Sequence, residues 1–343
     1  MLYFNSSNGY LTIKNSLLSS CPANDYRKDV SIIIVNYNTK DLTKNCIDSI
    51  FEKTSGISFE VILVDNDSKD GSVEFFSKDS RIQIIESGDN LGFGRANNLG
   101  VEHSSGKYVF FLNSDTILLN NAIKMMYDFM ERHEELNIGA LGSILLDFNH
   151  DRTHSYGDMP TIAQVLKQEW GDHLLKRFGN RMNRYDEGKI DPDAECFKVG
   201  YVTGADLFCS RNTIDKAGAF DPDFFMYWEE TEMQYRWWKR LRLSSYILRG
   251  PEIVHLEGKS DKRRTKMSEI KKTRSEFLFF KKTAGCFPYY LFRMIMIFGR
   301  LHQFVFPMMT MNEKRELWRI LWGTYNGSMK IKDEISQRNK YKV

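Results

Sequence analysis

The segment Lys107-Tyr108-Val109-Phe110-Phe111-Leu112-Asn113-Ser114-Asp115 decides how this chain is read. An apolar run of strand length ends abruptly in a carboxylate. In an open α/β sheet, ligands bind in the crevice beyond the carboxyl ends of the strands. An Asp at that edge sits where a divalent cation grips a substrate phosphate. Asp also ends strands simply as a turn former. The other strand ends and a later acidic cluster decide between the two.

Working back from this strand, Val30 to Val35 is a β-branched run followed by Asn36-Tyr37-Asn38-Thr39. A helical pattern then places Leu42, Cys46, Ile47, Ile50 and Phe51 on one face. Phe59 to Val64 is a second buried strand ending in Asp65-Asn66-Asp67-Ser68, and Ser72 to Phe76 begins a short helix. Arg81 to Ile85 is a third strand, followed by the Gly-rich turn Gly88 to Asn98 that enters a helix. Continuous apolar strands alternating with helices imply an α/β fold, a mostly parallel sheet covered on both faces.

Working forward, the pattern loosens from Asp147 to Glu195, with one or two helices expected around Ile162 to Phe178. Order resumes at Val199 to Phe208. Phe224 to Glu232 then leads into a helix reaching about Arg242, and two short strands end at Leu248 and His255. Residues 1–29 read as an irregular extension, with a hairpin around Asn8-Gly9. The catalytic unit is expected over 30–258, as a nucleotide-binding half (30–115) and an acceptor half (116–258). A basic, then amphipathic helical extension fills 259–343.

Composition bounds the function. The chain has 343 residues, 48 basic against 45 acidic, a balance that argues against nucleic acid as partner. Five scattered cysteines without C-x-x-C spacing argue against a disulfide framework and a zinc site, and fit a reducing cytoplasm. No stretch is apolar for the ~18 residues that a membrane span needs. Lys259 to Lys282 carries ten Lys/Arg against three Asp/Glu.

Each motif has a bland reading. Asp65 at a strand end accepts a pyrimidine ring N–H or a ribose hydroxyl, or forms an Asx turn. Arg95, in Gly92-Phe93-Gly94-Arg95, suits a diphosphate at a helix N-terminus, or is an ordinary helix start. Glu229, Glu230 and Glu232 after Trp228 favour a helix macrodipole, or supply a desolvated general base. Gln234-Tyr235-Arg236-Trp237-Trp238 lies one residue short of the Q-x-x-R-W signature of processive synthases, and is read as a helix with core aromatics.

Taken in order, Val30–Asn38, Val61–Gly71, Asn90–Leu99, Lys107–Asp115, Val202–Ala205 and Asp221–Arg236 resemble family-2 inverting glycosyltransferases of the GT-A fold, and within them the bacterial rhamnosyltransferase-like branch. The resemblance implies transfer of a sugar, rhamnose from dTDP-rhamnose first and a UDP-hexose second, to a glycan or lipid-linked sugar acceptor in cell-surface polysaccharide synthesis. Asp115 would bind Mg or Mn with His255, while Asn113 replaces the first carboxylate of the D-x-D motif. Glu230 matches the base, and Glu229 is the alternative. Tyr37, Asn38, Asp65, Asp67, Arg95, Asn113 and Ser114 would hold the nucleotide sugar. Asp206 and Trp228 are expected acceptor contacts. The competing class is a sugar-nucleotide-binding scaffold without transfer. A nucleotidyltransferase would want a basic Gly-rich loop directly after the first strand, which Asn36-Tyr37-Asn38-Thr39 is not. The basic tail is expected on the cytoplasmic membrane face, or against the catalytic domain or a second copy.

Overall fold

Strand β1 (Lys28–Asn36) shows why a sheet forms with two covered faces. Its side chains alternate, so Val30, Ile32 and Ile34 enter one core while Ile33 enters another. Each fully buried aliphatic side chain of this kind contributes about 1.5–3 kcal/mol. The computed structural model describes residues 26–167, 193–256, 266–305 and 311–322.

Helix α1 (Lys40–Lys53) follows β1, and β2 (Phe59–Asp65), α2 (Ser72–Phe76), β3 (Ile82–Glu86), α3 (Phe93–Glu102) and β4 (Gly106–Asn113) complete the first half. Next come β5 (Thr116–Leu118), α4 (Ala122–Arg132), β6 (Ile138–Leu146), β7 (Tyr156–Gly157), β8 (Cys196–Val199), β9 (Tyr201–Val202) and β10 (Asp206–Ser210). Helices α5 (Arg211–Ala217) and α6 (Glu229–Leu241) precede β11 (Ser244–His255). Helices α7 (Lys266–Thr283), α8 (Cys286–Val305) and α9 (Met311–Trp322) close the described chain.

The main sheet runs β3-β2-β1-β4-β10-β6-β11-β5, with β8 beside β11. β1 to β4 are mutually parallel, in the order expected of strand–helix alternation. β10 enters antiparallel between β4 and β6, which makes the sheet mixed. The two short strands expected before His255 are one strand. Gly250, at φ 102°, carries an irregularity in the pairing with β6 between Leu248 and Ile253.

The segment 147–195 is described only in part; residues 162–167 are helical, and the remainder of the expected helix lies outside the described residues. The Asn8-Gly9 hairpin also lies outside them. Cys46, Cys196, Cys209 and Cys286 are all free thiols.

A third core joins α7–α9 to the periphery of the main sheet, where Phe224 and Trp228 pack with Phe279, Phe280, Phe292 and Leu317. The part of the extension in α7 therefore packs on the α/β unit.

Candidate active site

The C-terminal edges of β1, β2 and β4 meet in one network of short polar side chains. Asn36, wholly buried, donates from Nδ2 to Asp65 Oδ2 at 2.7 Å and to Ser68 Oγ at 3.0 Å. Its Oδ1 accepts from the hydroxyls of Thr39 and Thr43. Asp65 Oδ1 accepts the Ser68 N–H at 2.8 Å, so both carboxylate oxygens are fixed and the residue is 1% exposed. The turns above it are left-handed at Asn38 and Asp67, a conformation Asn and Asp tolerate better than other side chains. Asn38 Oδ1 accepts the Lys69 N–H, and the Lys69 ammonium pairs with Asp67. Thr39 Oγ1 lies 3.2 Å from Ser114 Oγ, which ties the β1 loop to the turn after β4. Tyr37, Asn38, Asp65, Asp67 and Ser114 thus lie along one rim.

Asp115, Asn113 and His255 converge although 142 residues separate Asn113 from His255. Pairing of β11 with β5 sets His255 opposite Thr116, directly beside Asp115. The Asp115 backbone carbonyl accepts the Leu256 N–H at 2.9 Å. His255 Nε2 lies 3.2 Å from Asp115 Oδ1 and 3.2 Å from Asn113 Nδ2. One imidazole nitrogen cannot both accept from the Asn113 amide and donate to Asp115. The nitrogen can therefore serve only one of the two, and its approach to the Asp115 carboxylate is one that a proton or a cation shared by the pair would occupy. Two adjacent ligands of a six-coordinate ion at ~2.1 Å are about 3 Å apart, so the spacing fits. Among the described residues no third carboxylate, imidazole or thiolate joins them, and a carboxylate-plus-imidazole pair suits an ion whose remaining positions go to phosphate and water.

Glu229 and Glu230 open α6, preceded by Tyr227 and Trp228 in the left-handed region. Glu229 is buried, and desolvation followed by the charge of Glu230 pushes its carboxyl well above the usual range. Glu230 is half-buried; desolvation raises it also, against the opposing charge of Lys272 on α7. The segment 203–205 lies between this pair and the β4 edge. A Cβ on Gly204 would sit 3.8 Å from the Glu230 Cβ, and the Ala205 carbonyl accepts the Asn113 N–H at 2.9 Å. Gln234 holds the same segment, bonding the N–H and carbonyl of Val202 and the carbonyl of Glu230.

The loop 220–228 that delivers the acids is clamped from two sides. On one side, a Cβ on Gly92 would fall 2.2 Å from the Phe225 carbonyl oxygen. Only glycine, here at φ 81°, admits that approach. The Phe93 N–H donates to the same carbonyl, and Arg95 Nε donates to the Pro222 carbonyl at 2.6 Å. The Gly-rich turn, read from sequence as an approach to a diphosphate, therefore receives the chain's own acidic loop. On the other side, the Lys282 ammonium pairs with Asp221 and Asp223 at 2.5 and 2.6 Å, and Ser275 Oγ donates to the Met226 carbonyl.

Asp206 requires a correction. It is 0% exposed at the start of β10, and its Oδ2 accepts both the N–H and the hydroxyl of Ser143 at 2.6 Å. A group so enclosed in the sheet does not meet an acceptor; burial pushes its carboxyl up to about 7. Trp228 is half-buried, its indole packed against Phe279 and Phe280. The helix after the acids has core aromatics as expected, since Trp237 is buried, while Arg236 caps the carbonyls of Ala217, Gly218 and Ala219.

Sequence reasoning passed over Asn36, Asn66, Lys272 and Lys282. A polar residue closing an apolar run, as at Asn36, was the available signal. Asn66 is buried and accepts the Leu91 N–H, which joins the β2 and β3 edges. The two lysines lie in a segment whose sequence reads only as basic.

The family described as Glycosyl transferase family 2 matches residues 31–198, a span that holds Asp65, Arg95, Asn113 and Asp115 and stops before the two glutamates and His255. A low-salt glycan biosynthesis hexosyltransferase of Haloferax volcanii is 28% identical over 212 residues, 61% of this chain and 61% of that protein. Glycosyltransferase GlyG of Streptococcus pneumoniae is 30% identical over 115 residues, 32% of this chain and 38% of the relative. A poly(ribitol-phosphate) beta-glucosyltransferase of Bacillus spizizenii is 30% identical over 122 residues, 34% and 19% of the two chains. The chain spans less than two thirds of each of these relatives. A solved mannosyltransferase of Pyrobaculum calidifontis, in complex with GDP-Man and Mn2+, is 15% identical with a TM-score of 0.49, covering 94% of this chain and 82% of its own. A likeness that slight carries no argument.

Proposed function

We propose, from the match of residues 31–198 to the family described as Glycosyl transferase family 2, that the chain moves a hexosyl unit from a nucleoside diphosphate sugar to a glycan hydroxyl with inversion. dTDP-rhamnose is the first donor to try and a UDP-hexose the second. The Haloferax relative, a hexosyltransferase of glycan biosynthesis, supports the class of reaction.

One observation carries the reading: the segment 203–205 touches both Glu230 and Asn113, two residues from Asp115, so the acidic loop and the strand-end pair Asp115–His255 come from separate elements that meet at one place. An inverting displacement needs such a division. The acceptor O–H loses its proton to a base on one face of the anomeric carbon. The new C–O bond forms there as the C–O bond to phosphate breaks on the other face, and the nucleoside diphosphate leaves with the electron pair. Glu230 takes the proton, because its raised affinity for protons makes it a better base than an exposed carboxylate. Glu229, more deeply enclosed, is the alternative base. The rim from Tyr37 to Asp67 receives the nucleoside, and Asp65, buried beneath it with both oxygens engaged by Asn36 and Ser68, holds the rim's shape. Asn113 and Ser114 lie beside the phosphates.

Asp115 and His255 would hold Mg or Mn. Such an ion supplies charge neutralisation of the departing diphosphate. The acceptor, proposed as a glycan or a lipid-linked sugar, enters from the side of Glu230. The test is donor turnover by the purified chain with dTDP-rhamnose and UDP-hexoses, with and without Mn2+. Cation-dependent release of nucleoside diphosphate that rises with acceptor is expected. Tight donor binding without turnover in any pairing would replace the enzyme by a sugar-nucleotide-binding scaffold.

A further inference from the structure

Helix α8 presents apolar side chains on two opposite faces. Tyr289, Phe292 and Met296 are buried in the third core. Phe287, Tyr290, Leu291, Met294 and Phe298 are exposed, Phe287 by 79% and Phe298 by 70%. At 3.6 residues per turn these five fall within an arc of about 100°, the width of a packing stripe. Their exposed surface is on the order of 500 Å², above what single scattered surface hydrophobics leave. Arg293 does not lie on this stripe. Its Nε donates to the Leu321 carbonyl of α9 at 2.7 Å, on the packed side.

Charge decides what covers the stripe. After Gly258 the chain has twenty Lys/Arg against seven Asp/Glu; up to Gly258 it has 28 against 38. The described helical residues 266–305 and 311–322 themselves hold eleven Lys/Arg against four Asp/Glu, and α8 has no acidic residue. The side chains of Lys272 and Lys281 on the adjoining α7 are exposed. A two-fold contact through the stripe would set two such basic layers against each other. An anionic surface with an apolar interior matches both features. No helix among the described residues is long and apolar enough to cross a membrane, and α8 is packed along one side on protein.

We propose that the exposed face of α8 is a docking surface for an anionic lipid bilayer. The helix lies in the plane of the interface, with Phe287, Met294 and Phe298 entering the acyl boundary and the basic residues of the layer meeting anionic headgroups. The inference goes beyond sugar transfer and does not depend on it.

The experiment is cosedimentation of the full chain with vesicles of phosphatidylglycerol and phosphatidylcholine, and with vesicles of phosphatidylcholine alone. Binding should favour the anionic vesicles by about tenfold or more, and should weaken as salt is raised. A Phe287→Ser/Met294→Ser/Phe298→Ser variant changes exposed positions only, so its melting temperature should hold while its partition to anionic vesicles falls by about tenfold or more. Donor turnover in vesicle-free solution should be unchanged in the variant, which separates this test from that of the transfer reading. Equal binding to neutral vesicles, absence of binding to both, or a dimer in sedimentation velocity that the variant abolishes would each overturn the proposal.

Discussion

Asp115 Oδ1 and His255 Nε2 lie 3.2 Å apart, one at the end of the first half of the sheet and one at the end of its last strand. Neither residue type is unusual alone; the β5–β11 pairing makes them a pair. If they hold a divalent ion, Asp115→Ala should abolish Mn2+ binding measured by calorimetry in the presence of nucleoside diphosphate. Turnover should fall by about 10²-fold or more, as expected when charge neutralisation at a leaving diphosphate is lost. Unchanged turnover at limiting Mn2+ would remove Asp115 from the site.

The glutamates give a second prediction. Glu230→Gln keeps the shape of the side chain and cannot accept a proton, so kcat should fall by about 10²-fold or more while KM for donor stays near that of the parent. Glu229→Gln should retain most of the turnover. The reverse pattern would exchange their roles, because Glu229 is the more enclosed of the two and burial raises its carboxyl as well.

The fold was legible because continuous apolar runs of strand length alternate with period-3.6 helices from Val30 to Asp115, and local patterning of that kind points to a parallel sheet covered on both faces. The antiparallel insertion of β10 was not legible, since Asp206-Leu207-Phe208-Cys209-Ser210 reads as any short buried strand. Asp206 misled for the same reason: a carboxylate beside a candidate site looks like a ligand contact until its burial and its Ser143 bonds are seen. Glycine misled in another way. Gly92 marks a close backbone approach, and sequence cannot say whether a ligand or Phe225 makes it. The exposed stripe of α8 was hidden because both of its faces are apolar, so hydropathy alone does not separate the packed face from the open one.

The clamp on the acidic loop yields a third prediction. Gly92→Ala places a methyl group 2.2 Å from the Phe225 carbonyl and forces φ 81° on an L-residue. The strain should cost about 1–3 kcal/mol of stability, read as a lower denaturation midpoint. Because Phe225 precedes Glu229 and Glu230 by a few residues, kcat should fall in the folded protein as well, without a change in the acids themselves. A variant with the parent's midpoint and kcat would show that the loop yields freely.

The last prediction concerns pH and Asp206. Its carboxyl is raised from 3.8 to about 7, first by burial and against the Ser143 hydrogen bonds and the charge of His255. The folded chain thus keeps the proton over a range in which the unfolded chain has released it, and stability falls with pH wherever the folded state binds more protons. Its contribution is fully present below about pH 4 and is lost as pH rises through about 7, a difference of a few kcal/mol. Asp206→Asn preserves the volume and cannot ionise. The slope of unfolding free energy between pH 5 and 7.5, measured by urea titration, should flatten in the variant relative to the parent. Equal slopes would mean that Asp206 is already ionised in the folded chain across that window.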